Sequence, residues 1–226
     1  FGEYEMAVLK ANGKIEHFPL THDFRIDADE FIDRIKGTKV AFLCNPNNPT
    51  GLLTPFEDLI RIVDKAEKEN VIIFIDEDFM DFAPKEKNSS LLRKINSHQN
   101  LFILRSFTKF FGLTGLRIGY GISNREIIEI MSKAKIPWNI NCLAEVAAMA
   151  ALKDLEFLER TYRLIEEERD SLMNELSQIE GFDILPSDAN FFLINIKKTG
   201  LKAKELKHEL LNFGILIRDC DSFKGL

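Results

Sequence analysis

Lys109 lies in "RSFTKFFGLTGLRIGYG" (105–121), with Ser106 and Thr108 just before it and Arg117 eight positions after it. A lysine amine that has shed its proton attacks carbonyl carbon, and enzymes use such amines to hold carbonyl compounds covalently. Two hydroxyls, loop backbone amides and a guanidinium fork are the donors a phosphate group requires. The segment therefore reads as a phosphate cradle beside a reactive amine. Asp76 closes the apolar run "VIIFID" (71–76). A carboxylate buried there is costly unless its charge is matched, so Asp76 either caps the next turn or partners a buried cation such as a protonated pyridine nitrogen. "NPNNPTG" (45–51) makes a rigid turn by composition alone, and such a turn can also aim the Asn48 side chain at a ligand.

Each of these segments follows a short apolar run. "KVAFLC" (39–44), "VIIFID" (71–76), "LFILR" (101–105) and "RIGYGI" (117–122) read as buried strands. Between the first two, "TPFEDLIRIVDKAEKEN" carries Phe56, Leu59, Ile60 and Val63 at helical spacing, with Thr54 expected as N-cap and Glu57 completing a capping box. Non-alternating strands separated by helices predict an α/β fold, a mostly parallel sheet with helices on both faces. Ligands of such sheets bind beyond the carboxyl ends of the strands, which is where 45–51, 76–79 and 106–109 fall. A long charged helix is expected over 155–179, then two short strands within "GFDILPSDANFFLIN", a helix ending before Gly214, and a strand at "ILIRDC". We divide the chain into a large domain over 1–153 and an interdomain helix with a small α+β domain over 154–226.

The 226 residues are 45% hydrophobic with a net charge of -6, which supports a substantial core and gives no basic footprint for nucleic acid. No apolar run approaches the ~20 residues that span a bilayer. Cys44, Cys142 and Cys220 are odd in number, widely spaced and without metal-ligand spacing, as in a reduced, cytoplasmic protein. The chain starts at Phe1 and stops just after a strand-like run, so both ends are expected to be cut.

Lysine, phosphate cradle, strand-end aspartate and aimed asparagine together describe a pyridoxal 5′-phosphate site. "NPNNPTG", "IDEDF" and "SFTKFFGLTGLRIGYG" stand in the order and spacing of the fold-type I aminotransferases, and the chain resembles their subgroup of histidinol-phosphate aminotransferases and threonine-phosphate decarboxylases. By that resemblance Lys109 is the lysine that holds the cofactor covalently, and Asp76 pairs with its ring nitrogen. Asn48 donates to its 3′-oxygen, and Ser106, Thr108 and Arg117 bind its phosphate. Phe1 stacks on the pyridine ring, and Arg218 in "LIRDC" contacts the substrate's anionic group. The resemblance also implies a homodimer. Three departures stand out: Phe79 replaces a tyrosine that donates to the 3′-oxygen, and the family's N-terminal segment and last arginine are absent from this sequence.

The shared parts serve either transamination or decarboxylation, because the outcome depends on which Cα bond lies perpendicular to the cofactor ring. "IPWNINCLAE" with Trp138, Phe79 and "IRDCDSFKGL" favour the decarboxylase side, although Trp138 also fits a packed core aromatic. The sequence therefore leans to decarboxylation of L-threonine O-3-phosphate to aminopropanol phosphate in cobalamin biosynthesis. The alternative is amino-group transfer to 2-oxoglutarate by a histidinol-phosphate or other class I/II aminotransferase. A small phosphorylated amino substrate fits both. A cofactor-binding regulator fused to a DNA-binding domain is a third class, and no basic helix-turn-helix segment is visible to support it.

Overall fold

The computed structural model describes residues 2–84, 89–223 and 225–226. The central sheet runs β1 (Val40–Cys44), β2 (Ile72–Asp76), β3 (Leu101–Ser106) and β4 (Gly119–Ser123), with the strands adjacent in chain order. The first three are parallel, with Cys44 opposite Asp76 and Asp76 opposite Leu104. Their carboxyl ends therefore open on one edge. β4 is antiparallel to β3, with Ser106 opposite Gly119. The link 107–118 carries only a short 3-10 turn (Thr114–Leu116), whereas a parallel return needs a crossover, usually a helix. The reversal brings Arg117 back to the edge that holds Ser106.

Helices α1 (Gly2–Lys10), α2 (Ala28–Arg34) and α3 (Phe56–Lys68) precede or join the parallel strands. The α3 helix buries Leu59, Ile62, Val63 and Ala66, a stripe at helical spacing, against Leu43, Ile73, Ile75 and Ile103. Phe31 of α2 joins the same core, and the Asp27 carboxylate caps that helix by accepting from the Glu30 N–H. The other sheet face carries Phe42, Phe74 and Phe102, with ring centroids 5.1 and 4.9 Å apart. Tyr4 of α1 stacks on Phe42 at 5.2 Å.

Beyond β4 come α4 (Arg125–Ala134), α5 (Cys142–Ala151), the long α6 (Leu155–Ser177), the antiparallel pair β5 (Asp183–Ile184) and β6 (Ile194–Asn195), and α7 (Ala203–Leu211). Two local expectations fail. Thr54 is not the N-cap of α3: Pro55 holds that position without a side-chain bond, because Thr54 is buried and its N–H donates to Asn45 Oδ1 at 2.8 Å. "ILIRDC" forms no strand; no strand edge among the described residues pairs with it, and an unpaired strand is not stable by itself.

Candidate active site

Lys109 is the exposed member of a segment whose neighbours are buried. Phe107 sinks into a core with Ile118, Ala144 and Ala148, and Phe110 packs between Phe82 and Tyr162 at 5.2 and 4.9 Å. The backbone is thus pinned on both sides, and the lysine points out between the anchors. Its Nζ lies 5.7 Å from the centre of the Phe79 ring and has no carboxylate partner among the described residues. Phe79 is itself braced edge-on by Phe191 at 4.8 Å.

Asp76 is buried at the end of β2. Its Oδ1 accepts from the Asp78 N–H at 3.0 Å and its Oδ2 from the Tyr4 hydroxyl. Burial raises its pKa above the usual carboxylate range, and the Tyr4 and Asp78 hydrogen bonds oppose that rise. No Lys, Arg or His pairs with it among the described residues. Across the register Cys44 donates to Pro46 O at 3.3 Å, and burial, then the Asp76 charge, pushes its thiol up to about 12.

The proton linkage of Asp76 has a definite sign. A raised folded pKa means that the folded state binds more protons than the unfolded chain above the reference value of 3.8. Stability fully present below that value is lost as pH rises through the folded one. Cofactor-free Asp76→Asn should therefore resist urea better than the parent at about pH 7 and by much less at about pH 4. An equal difference at the two pH values would assign the linkage to another group.

The turn 45–51 is held from two sides. Asn45 donates to Ser89 Oγ at 3.0 Å, and the Asn47 N–H donates to Leu52 O at 2.9 Å. Gly51 sits at φ +73°, and a Cβ there would lie 2.0 Å from Ser187 Oγ and 2.9 Å from Phe191 O, so only glycine lets the 187–191 segment close on the turn. The Asp188 N–H donates to Gly51 O at 2.8 Å. Asn48 directs its backbone N–H at the Cys44 sulfur, one strand from Asp76, and its side-chain amide makes no hydrogen bond among the described residues.

The hydroxyl cluster differs from a free cradle. Ser106 donates to Asp78 Oδ1, accepts from the Thr108 N–H at 3.2 Å, and lies 2.8 Å from Thr108 Oγ1. Arg117 adopts a left-handed backbone, is exposed, and donates to Thr114 O at 3.1 Å. Arg218 stays within the C-terminal segment, beside Ser222 and over the Phe223 ring at 5.3 Å, and is not brought to Lys109. Phe1 lies outside the described residues. The structure therefore gathers Lys109, Asp76, Asn48, Ser106, Thr108 and Arg117 along one sheet edge.

The edge also contains residues that the sequence reading did not single out. Glu77, fully buried, accepts from Arg105 at 2.7 Å, from Ser90 at 2.8 Å and from the Leu91 N–H at 3.3 Å; Arg105 also reaches Asp81 at 2.9 Å. This network ties the strand end bearing Asp76 and Phe79 to the one bearing Ser106 and Lys109. An acid following Asp76 and an arginine preceding Ser106 were visible signals, but only packing shows that they meet.

The donor set fits pyridoxal 5′-phosphate at two ends. A buried carboxylate that, among the described residues, accepts only from neutral donors suits a protonated ring nitrogen, and an amine without a counter-ion among them, standing over an aromatic face, suits an aldehyde. At the phosphate end Ser106 shares its hydroxyl with Asp78.

The family model for aminotransferase class I and II matches residues 1–224. The chain is 36% identical over its whole length to the histidinol-phosphate aminotransferase of Methanocaldococcus jannaschii, covering 60% of that protein. The structure of the histidinol-phosphate aminotransferase from Clostridium acetobutylicum superposes with TM-score 0.94 at 34% identity, over 100% of this chain and 67% of that one. That of the L-threonine-O-3-phosphate decarboxylase from Porphyromonas gingivalis gives TM-score 0.85 at 28% identity, over 100% and 66%. The chain thus spans about three fifths of the length of the curated relatives it matches.

Proposed function

The chain belongs to aminotransferase class I and II, whose members depend on pyridoxal 5′-phosphate, and from that premise we propose that the whole protein transfers the amino group of histidinol phosphate to 2-oxoglutarate. The observation that carries this reading is the 36% identity, along the whole chain, to a relative of that name. It reverses the balance struck from the sequence, which leaned to decarboxylation. Trp138, one of the residues behind that leaning, is 97% exposed and neither packs in a core nor walls the Lys109 edge in this chain.

Pyridoxal 5′-phosphate, when bound, supplies an electron sink for the bonds at Cα of an amino substrate. Lys109 would hold it through Nζ, and Asp76 would keep a proton on its ring nitrogen. Lys109 would also carry the proton to or from Cα as general acid and base. Phe79 and Phe191 shield that amine from water on one side, and the Phe79 face attracts it while it is charged. The amide of Asn48 would hold the ring's 3′-oxygen. Thr108, Ser106 and Arg117 would hold the phosphate, and Arg218 would contact the substrate's anion.

Leu143, Val146 and Met149 form an exposed apolar stripe along α5, which supports a homodimer. Three free thiols support a cytoplasmic location. Among the described residues no helix is long and apolar enough to cross a membrane.

Phe79, which has no hydroxyl to offer beside Lys109, favours decarboxylation of L-threonine O-3-phosphate as the second reading. The whole protein, loaded with cofactor, separates the two. Glutamate formed from histidinol phosphate and 2-oxoglutarate, with no CO₂ from L-threonine O-3-phosphate, is the expected result. CO₂ and aminopropanol phosphate from the latter would establish the decarboxylase instead.

A further inference from the structure

Tyr4 lies 72 residues from Asp76 in sequence, yet its hydroxyl donates to Asp76 Oδ2. The ring is held in place independently of that bond. It stacks on Phe42 at 5.2 Å with planes 12° apart, and meets Phe74 at 6.3 Å. Phe42 and Phe74 are themselves paired in the sheet register, so the hydroxyl is aimed by the strands that carry the site. The phenol is half-buried, and its own pKa is driven up by desolvation, then by Cys44 and Asp76. It therefore remains a donor at every working pH.

A carboxylate offers about four lone-pair sites. Tyr4 takes one on Oδ2 and the Asp78 N–H takes one on Oδ1, which leaves each oxygen able to accept again. Both bonds favour the ionised form of Asp76 against its burial. Among the described residues the other titratable side chains acting on it are the Asp78 carboxylate from its own loop and, from β1, the Cys44 thiol, and neither supplies a positive charge. From β3 the register neighbour is Leu104, which is neutral.

We infer that Tyr4 is a positioning residue for Asp76: its hydroxyl, fixed by the Phe42 ring, turns the carboxylate toward the cofactor's ring nitrogen and keeps it negative there. The inference rests on the cofactor-binding reading of this edge. It assigns a role to α1 that neither the lysine segment nor the asparagine turn provides.

The test is a double-mutant cycle on affinity. The whole protein is stripped of cofactor and titrated with pyridoxal 5′-phosphate by equilibrium dialysis, as parent, Tyr4→Phe, Asp76→Asn and the double variant. Tyr4→Phe keeps the stacking ring and removes only the hydroxyl. It should weaken binding roughly tenfold, the factor expected for losing a hydrogen bond to a buried charged group. In the Asp76→Asn background the same substitution should cost less than about twofold, because its partner charge is gone. A shift in the pH titration of the bound cofactor's visible absorbance should accompany Tyr4→Phe and vanish in the double variant. Equal losses in both backgrounds would make Tyr4 a packing residue only, and no loss in the parent background would remove the role altogether. A parent that takes up the cofactor while ignoring Tyr4→Phe overturns this inference alone. A parent that takes up none overturns the cofactor reading and this inference with it.

Discussion

Lys109→Ala is expected to abolish covalent attachment of pyridoxal 5′-phosphate and to lower turnover by at least the ~10²–10⁴-fold typical of losing a positioned acid/base. The fold should persist. Lys109 is exposed, its backbone is anchored by Phe107 and Phe110, and its aromatic contact among the described residues is the Phe79 face at 5.7 Å. Such a contact is worth about 0.5–1 kcal/mol, which sets the expected fall in the unfolding midpoint at about 1–4 °C. Borohydride reduction followed by peptide mass analysis is the measurement. A reduced cofactor adduct on the 105–121 peptide of the variant would place the reactive amine elsewhere.

Arg105→Met should be far more damaging to stability. Arg105 is nearly buried and is shared by Glu77, which has no exposed side-chain surface, and Asp81. Its removal leaves Glu77 with hydroxyl and amide donors from Ser90 and Leu91 but no cation. Breaking one partner out of a buried ion pair typically costs about 3–5 kcal/mol, or about 6–20 °C in a chain of this size. Burial already raises the Glu77 pKa, and the Arg105 charge is the largest influence opposing it, so the variant should recover part of its loss at acid pH. Adding Glu77→Gln and Asp81→Asn should recover part of it at neutral pH, since the uncompensated charges are then gone. Urea unfolding of the three proteins decides the point; a loss below about 1 kcal/mol for Arg105→Met would show that water reaches the network. The same variant should also weaken the site, because the network joins the strand end of Asp76 to that of Ser106.

The α/β class, the four strands of the sheet and the long charged helix were legible because each depends on local patterning. An apolar run without alternation is a strand buried on both faces, and Leu59, Ile62, Val63 and Ala66 declare the buried side of α3 at helical spacing. Parallel strands also determine where a site lies, so the sequence alone places Asn48, Asp76, Ser106 and Lys109 on one edge. The cap at Thr54 was misread because a buried threonine found a different partner in Asn45. The strand at "ILIRDC" does not form because a strand needs a pairing partner, and no strand among the described residues pairs with it.

What the sequence determined by itself, then, was the kind of chemistry and the strand ends that carry it, since residue type and local period are written into neighbouring positions. Only the tertiary structure decided which groups meet across distance. Tyr4 on Asp76, Arg105 between Glu77 and Asp81, Ser106 on Asp78, and Gly51 under Ser187 are contacts of 24 to 136 residues' separation. Side-chain packing and the register of the sheet set these pairs, and neither has a local signature. The antiparallel turn of β4 is of the same kind: the short link after Lys109 fits no crossover, and that reversal is what returns Arg117 to the edge where the lysine stands.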